Sequence, residues 1–489
     1  MNSLTLIADI LKFLPYQLLI VVFAIALCFP TATIAQTAQD ADKLIIDTVP
    51  KPKPRRARTP FFGTVPPETK RFGRAAAEWG LAQAIPFSYG KFIAHAPYSN
   101  VTGATIWRNL NPGSWQWDKD IFRTNQFGHP YQGSLYFSSF RSNGYSFWQS
   151  APAAVAGSYF WETFGENEHP SPNDFINTSF GGIVLGEMSY RLSNKIVNNR
   201  HRGFGRQMEE IAAFLANPMN GLNRLLDGKW GRVYGNPKDR DSTQVSAEFD
   251  LGARTFNSIT GTIGGNGKTV PFVRAKLIYG NRYKDYRTPF SNIYINIEAG
   301  KDDSSIVNLV SVYGSLAGWE LRSNKDLKHL AILSANYDYI SNEAFFYGAQ
   351  SVKLNLFSQY DVSKKVKFNT NIGTGPVLLA AVPNTYNSNG RNYDYTSGFS
   401  INGGAGINVK DKFFAGFDYR GGALYTINGN KSHYFLHTAT TEVRYAWSKK
   451  LSVAAESGYF FLRGKYDEHP DVNKRYPYVR LSTRYSVDF

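Results

Sequence analysis

The last twelve residues, Tyr478-Val479-Arg480-Leu481-Ser482-Thr483-Arg484-Tyr485-Ser486-Val487-Asp488-Phe489, alternate without a break. Val479, Leu481, Thr483, Tyr485, Val487 and Phe489 fall on one face of an extended chain, and Tyr478, Arg480, Ser482, Arg484, Ser486 and Asp488 on the other. Successive side chains of a strand point to opposite faces of its sheet. A strand with one greasy face and one charged face, ending on an aromatic residue, suits a membrane barrel set between lipid and a wet lumen. A half-buried strand of a soluble sandwich has the same period, so the choice needs the rest of the chain.

The theme recurs upstream. Phe399, Ile401, Gly403, Ala405, Ile407 and Val409 alternate with Ser400, Asn402, Gly404, Gly406 and Asn408. Phe413, Ala415, Phe417, Tyr419, Ala423 and Tyr425 oppose Gly416, Asp418, Arg420 and Gly422, and Leu451, Val453, Ala455, Tyr459 and Phe461 oppose Ser452, Glu456 and Gly458. Counting back from Phe489 gives about 12 antiparallel strands over residues 241–489, an even number as single-chain bacterial barrels have. Tight connections are expected at Asp361–Lys364, Lys410–Lys412 and Trp447–Lys450, and longer ones at Ser258–Lys268, Ala381–Ser397 and Arg463–Arg475. Short turns belong in the periplasm and long loops outside. The expected fold is an all-β membrane barrel preceded by an α-helical insert, α+β overall.

The amino-terminal end supports export. Leu18 to Phe29 is an unbroken apolar run preceded by Lys12 and followed by Pro30 and the small-residue stretch Thr33-Ile34-Ala35. It is too short for a spanning helix and reads as a signal peptide over residues 1–35. A lipoprotein signal on Cys28 is disfavoured because Leu27 stands where a small residue is needed. Cys28 is the only cysteine, so a chain cut after Ala35 has no disulfide and no thiolate metal site. Residues 36–70 carry Lys51, Lys53, Arg55, Arg56 and Arg58 among prolines, a composition too poor in apolar groups to offset ordering entropy. They read as a disordered basic linker.

Composition fits the same picture: 30 Tyr, 35 Phe and 43 Gly, with a mean hydropathy of -0.33 because lipid-facing and lumen-facing residues cancel. The formal charge of +16 is read as contact with anionic envelope components rather than nucleic acid, for which the chain carries no motif. The partners implied are outer-membrane lipid, lipopolysaccharide and the barrel-assembly machinery, and the location is the bacterial outer membrane.

Residues 71–240 have a different texture. Ser146–Gly165 and Ser171–Asn198 read as helices, the second opening with Ser171 as cap, Pro172 at the first position and Asp174 near the positive end of the dipole. An amphipathic helix is expected from Gln207 to Leu226, interrupted at Asn217-Pro218. The first helix carries Ser150, Ala154, Ser158, Glu162 and Glu166 at fourfold spacing, and the second Asp174, Thr178, Gly182 and Gly186. Glycines four apart admit another backbone, so the two helices are expected to meet with acids at their seam, as a helical domain beneath the barrel or a plug in its lumen.

Between Asn125 and Ser193 the motifs His129-Pro130-Tyr131-Gln132-Gly133, Arg141-Ser142-Asn143-Gly144-Tyr145-Ser146-Phe147-Trp148, Trp161-Glu162-Thr163-Phe164-Gly165-Glu166, Pro170-Ser171-Pro172-Asn173-Asp174 and Gly181-Gly182 through Leu185-Gly186-Glu187 follow in order. This series resembles an uncharacterised bacterial envelope family known only as a domain of unknown function. The resemblance implies membership, not activity.

Two readings of the acidic seam stand side by side. In one, Glu162, Glu166 and Asp174, with Glu187 and a nearby His129 or His169, form a desolvated cluster with a raised pKa, able to act as acid or base or to offer oxygens to a divalent cation. In the other, Arg141 and Arg191 neutralise the acids and Asn143 and Asn173 cap turns. Glu162 and Glu166 do not make a zinc motif, as no histidine shares their helix at ligand spacing, and neither a metal nor a cofactor is expected. Ser158 lacks the second glycine of a nucleophile elbow, and the glycine-rich stretch Gly261–Gly267 precedes no helix. The functions left open are gated passage or binding of a small ligand or envelope component, lipid modification by the carboxylates, and a structural or partner-binding role. The first is expected.

Overall fold

The computed structural model describes residues 69–256, 268–301, 305–324, 326–342, 346–388 and 390–488. The expected leader, most of the basic linker, the loop at 258–267, Gly261 to Gly267 within it, and Phe489 lie outside the described residues.

Twelve strands close into one antiparallel barrel in which each pairs with its sequence neighbour and β1 pairs with β12. They are β1 (Val245–Phe256), β2 (Thr269–Tyr279), β3 (Ile293–Ala299), β4 (Val307–Ser323), β5 (Leu327–Ser341), β6 (Phe346–Ser363), β7 (Val366–Ser388), β8 (Arg391–Val409), β9 (Phe413–Asn428), β10 (Ser432–Ala446), β11 (Leu451–Tyr466) and β12 (Val472–Asp488). Closure leaves no strand edge unpaired, which a sheet in hydrocarbon requires.

Contacts between strands that are not neighbours identify the inner face, because only the concave side lets such side chains meet. Arg274 of β2 reaches Glu456 of β11 at 2.8 Å, Lys276 of β2 reaches Glu442 of β10 at 2.9 Å, and Arg480 of β12 reaches Glu298 of β3 at 3.3 Å. Arg480 also holds Glu456 at 2.5 Å, Arg484 holds Asp250 at 2.5 Å and Glu442 at 2.7 Å, and Arg254 pairs with Glu298. Opposite charges satisfy one another across the lumen; deleting one partner would strand the other in a low-dielectric interior. A second inward cluster is aromatic and aliphatic, built from Phe256, Val382, Tyr434, Phe460, Tyr466 and Tyr478. The barrel therefore fills much of its interior with its own side chains, and the alternation expected for β8, β9, β11 and β12 is the one observed.

The connections differ in part from expectation. The tight ones fall where expected, at 364–365, 410–412 and 447–450. The long loop expected at Ala381–Ser397 is instead a strand hairpin: β7 and β8 stay paired up to Ser388 and Arg391. Likewise β11 runs to Tyr466 and β12 starts at Val472, so that only 467–471 is left of the expected Arg463–Arg475 loop. The end where β1 starts and β12 finishes, the terminal end of the barrel, carries the connection 280–292, among the longer described ones, so loop length does not separate the two ends.

The helices are α1 (Phe72–Ser88), α2 (Gly103–Asn109), α3 (His129–Arg141), α4 (Phe147–Phe160), α5 (Pro172–Ile176), α6 (Gly182–Ile196), α7 (Gly203–Ala216), α8 (Pro218–Leu226) and α9 (Lys238–Ser242). Wide π turns at Thr124–Gly128, Trp161–Gly165 and Asn177–Gly181 join or extend them. As expected, Ser171 caps α5, its Oγ accepting from the Asp174 N–H, with Pro172 at the first position. Asn217 breaks the long amphipathic stretch and caps α8. Helices α1, α2 and α3 were not expected; their apolar spacing is irregular and tertiary packing decides them. No described helix is long and apolar enough to cross a membrane.

The chain forms two compact units. One comprises the described residues up to Ala96, Leu135–Ala153 and Ser189–Thr243; the other comprises Pro97–Ser134, Ala154–Met188 and the barrel. Within the first, Glu210 lies between Arg206 at 2.7 Å and Arg224 at 2.7 Å, and Glu78 accepts from Asn143 at 2.8 Å and Asn223 at 3.0 Å. The division between Thr243 and Gln244 lies near the expected boundary at residue 240, and residues 97–134 and 154–188 also belong with the barrel.

Candidate functional site

One row of outward-facing residues can be followed through the strand registers: Val487 opposite Ala247, Ala247 opposite Leu277, Leu277 opposite Ile295, Ile295 opposite Val312, Val312 opposite Tyr337, Tyr337 opposite Gln350, and Gln350 opposite Leu379. All eight are buried. Their outward direction follows from their neighbours: Asp338, beside Tyr337, faces inward to Arg420 of β9 at 3.7 Å, and Asp394, beside Tyr393 and Tyr395, faces inward to the Tyr434 hydroxyl at 2.6 Å. Tyr339, Tyr393 and Tyr395 extend the buried exterior.

Residues 117–127 sit on this patch. Phe122 meets Tyr339 at 5.5 Å and Phe346 at 4.9 Å between ring centroids, Phe127 meets Tyr339 at 5.5 Å, and Trp117 meets Tyr395 at 5.1 Å. The side-chain amide of Asn125 donates to the hydroxyls of Tyr393 at 2.8 Å and Tyr395 at 2.6 Å. Gln126 lies over Gly348, where an added Cβ would stand 2.4 Å from its Oε1. Backbone carbonyls are capped from the wall as well: Asp120 by the Tyr393 hydroxyl at 2.7 Å, Asp118 by Arg391 and Gln126 by the Tyr337 hydroxyl. These contacts lie on the barrel's outer surface, so for this segment a position in the lumen or beneath the barrel is replaced by one on the wall. A sheet that turns Tyr and Gln outward would leave hydroxyls and amides unpaired in lipid; covering them resolves the conflict.

The acids expected at the helical seam stand behind this segment. Glu162 is buried and its Oε2 accepts from the Ser171 N–H at 2.7 Å. Asp174 is buried and meets His129 Nε2 at 3.3 Å and the Asn173 amide at 2.9 Å. Asn173 and Asn125 both donate to Asp118 Oδ1, each at 2.8 Å, which ties the acids to the wall-bound segment. Burial, then the neighbouring Glu166 and Asp174, holds Glu162 well above the ordinary carboxylate range. Burial, then Glu168, pushes Glu166 up to about 8. Burial, then Asp118, raises Asp174. Burial lowers His129 against the pull of Asp118.

Ser158 is buried with its Oγ 3.5 Å from the Phe175 carbonyl, and His169 Nδ1 lies 2.8 Å from the Ser114 carbonyl oxygen. Glu187 is fully buried. Among the cluster's expected binding residues only Asn173 belongs to this unit. In the other unit Arg141 donates to the Tyr145 carbonyl at 3.0 Å and stacks 4.3 Å over the Tyr190 ring, Asn143 serves Glu78, and Arg191 is half-buried. The glycines of the second helix do admit a backbone, but it is that of α3: a Cβ on Gly182 would stand 2.5 Å from the Gly133 carbonyl carbon. Among the described residues no group of His, Cys, Asp and Glu is arranged to hold a metal ion.

Asp118, Asn125, Gln126, Gln350 and the four wall tyrosines were missed in the sequence. Their signal was there to read, as Tyr337, Tyr339, Gln350, Tyr393 and Tyr395 place polar groups on outward positions. Four buried amides of this region keep polar atoms with no hydrogen-bond partner among the described residues: Asn125 Oδ1 and both side-chain polar atoms of Gln126, Asn177 and Gln350. The π turn that carries Asn177 packs against β6, the strand of Gln350.

No curated protein matches the chain. Solved structures similar to it include the NanC porin (10% identity, 48% of this chain and 98% of that one, TM-score 0.28), the KdgM porin (10%, 49% and 99%, 0.24) and an anion-selective porin from Comamonas acidovorans (9%, 50% and 99%, 0.23). Residues 114–219, which hold the wall-bound segment and the acids, match the family described as a domain of unknown function (DUF3943).

Proposed function

We propose that this chain is a bacterial outer-membrane protein, exported by a leader over residues 1–35, that binds a polar group of an envelope component in the seam between residues 117–127 and 173–181 and the outer wall of β5–β8. The observation that carries this reading is the set of buried amides at Asn125, Gln126, Asn177 and Gln350, which have hydrogen-bonding capacity left over. Each unmet buried donor or acceptor costs about 1–3 kcal/mol, a cost that a hydroxylated or phosphorylated lipid headgroup would remove.

Native mass spectrometry of the protein extracted from membranes in mild detergent tests the proposal. A lipid retained by the wild type and lost in Gln126→Leu/Gln350→Leu supports it; a wild type that carries nothing, or a variant that keeps the same lipid, refutes it. Lipid modification is the chemical extension, resting on His129 beside Asp174. A Glu162→Gln/Glu166→Gln strain with unaltered lipid A and phospholipids would exclude it.

Gated passage is the second reading, favoured by Asp418 and Arg420, whose inward side chains are 46% and 45% exposed and so line a wet part of the lumen. The ion pairs across the opposite side restrict any such path to small solutes. Planar-bilayer recordings that show no conductance before and after Arg480→Ala would remove this reading.

A further inference from the structure

The covered row of outward residues is oblique to the barrel axis. On β12 and β1 it lies at the terminal end of the barrel, where β1 starts and β12 finishes, at Val487 and Ala247, and Leu481 and Leu251 remain exposed further along the same strands. On β6 and β8 the order is reversed: Gln350 and Tyr395 are covered toward the opposite end, and exposed Leu354 and Phe399 lie between them and the terminal end. Strands of a barrel tilt by about 35–45°, so a row perpendicular to them climbs the wall. The row therefore starts at one rim of the apolar belt and leaves at the other, and residues 117–127 occupy its upper part.

We infer that the helical residues within 97–134 and 154–188 lie in the lipid beside the barrel and turn Trp107, Ile121, Val155, Phe160 and Phe164 to acyl chains. This inference rests on the outer-membrane reading. All five side chains are exposed, and Ile121 directly precedes Phe122, which is buried against the wall, so the same turn meets both wall and surroundings. The cover adjoins the exposed belt on the same strands, as Leu354 lies four residues from Gln350 and Phe399 four from Tyr395. The chain from Ala154 to Gly165 has no Lys or Arg and its one acid, Glu162, is buried; Phe175 to Gly186 has no charged residue. Lipid would tolerate these surfaces.

The irregular stretch between α2 and α3 gives an independent argument. Non-helical backbone at membrane depth persists only where protein satisfies its polar groups. Here Gln116 N–H donates to the Pro170 carbonyl at 2.9 Å, Asp118 N–H to Asn173 Oδ1 at 3.2 Å, and the carbonyls of Asp118, Asp120 and Gln126 accept from Arg391, Tyr393 and Tyr337. A water-exposed loop would need none of the three wall donors.

The test uses the full chain with single cysteines carrying an environment-sensitive fluorophore at Ile121, Phe160 and Phe164, at Leu481 on the open belt and at Lys449 in a terminal-end turn. Each is reconstituted in phosphatidylethanolamine/phosphatidylglycerol vesicles, with and without brominated acyl chains. Quenching at the three helical positions as strong as at Leu481, with none at Lys449, is expected. Quenching at Leu481 with none at the helical positions overturns the inference and leaves the barrel in the membrane, pointing to a protein partner on that face. Absence of quenching at Leu481 overturns the outer-membrane reading itself.

Discussion

Two walls of one barrel obey the same period and meet different surroundings. Away from the covered row, outward positions of β9, β10 and β12 are bare: Phe417, Phe435, Val443 and Leu481 are 48%, 44%, 42% and 59% exposed. Along the row from Val487 to Leu379 the equivalent positions are buried. Chemistry separates them. The bare wall mixes hydrocarbon with tyrosines left open, such as Tyr425 and Tyr445, whereas the upper part of the covered row carries Gln350 with Tyr337, Tyr393 and Tyr395, whose hydroxyls are hydrogen-bonded by residues 117–127.

The comparison can be broken first from within. Arg480→Met removes the cation shared by Glu298 and Glu456, leaves two buried acids without it, and should cost about 3–5 kcal/mol. Both walls should then unfold together at lower urea concentration, followed by the gel shift of heat-modified barrels. A wild-type midpoint would mean that the lumenal ion pairs do not hold the barrel.

Gly348→Leu distinguishes the walls. On the covered side the new side chain meets Gln126 and should cost about 1–3 kcal/mol by overpacking, lifting residues 117–127 so that protease cuts there. Ala439→Leu on β10, an outward site of the bare wall, should leave both stability and cleavage unchanged.

A finer contrast comes from one hydroxyl. Tyr395→Phe loses the acceptor for the Asn125 amide and should cost about 1 kcal/mol, whereas Tyr425→Phe, at an exposed outward site of β9, should cost nothing measurable. Equal effects in thermal melts would show that the tyrosines of the covered row are not paired with the helical segment.

The smallest effect is a pH slope. Glu166 keeps its proton up to about pH 8 in the folded chain, against an ordinary carboxylate value of 4.5. Between those values the folded state binds a proton that the unfolded state has released, so the stabilisation present below 4.5 is lost as pH rises through about 8. Protease sensitivity of the helical segments should rise from pH 5 to pH 9, and Glu166→Gln should flatten that dependence. An unchanged slope in the variant would place the titrating group elsewhere.

Much of this molecule can be read from residue order. The alternation of Tyr478 to Asp488 assigns faces correctly because strand geometry is local, and Ser171-Pro172-Asn173-Asp174 marks a helix start because capping is local too. Ala381 to Ser397 reads as a loop because Pro383, Asn384 and Asn387 resemble turn residues; the pairing of β7 with β8 instead resumes beyond them at Ser388 and Arg391, after a register shift that leaves Asn387 at a φ of 46°. The acids at 162, 166 and 174 were legible as a cluster from helical spacing. Their links to Asp118, Asn125 and the wall tyrosines were not, because no periodicity connects those positions and Tyr393 and Tyr395 lie more than 200 residues beyond the acids.

The sequence by itself determined the closed sheet, its inner and outer faces and the helical character of what precedes it, because period two and helix capping act over neighbouring residues. Tertiary structure alone decided which stretch of the outer face is covered. Burial of an outward Tyr or Gln depends on what another part of the chain brings against it, and only the folded molecule fixes that.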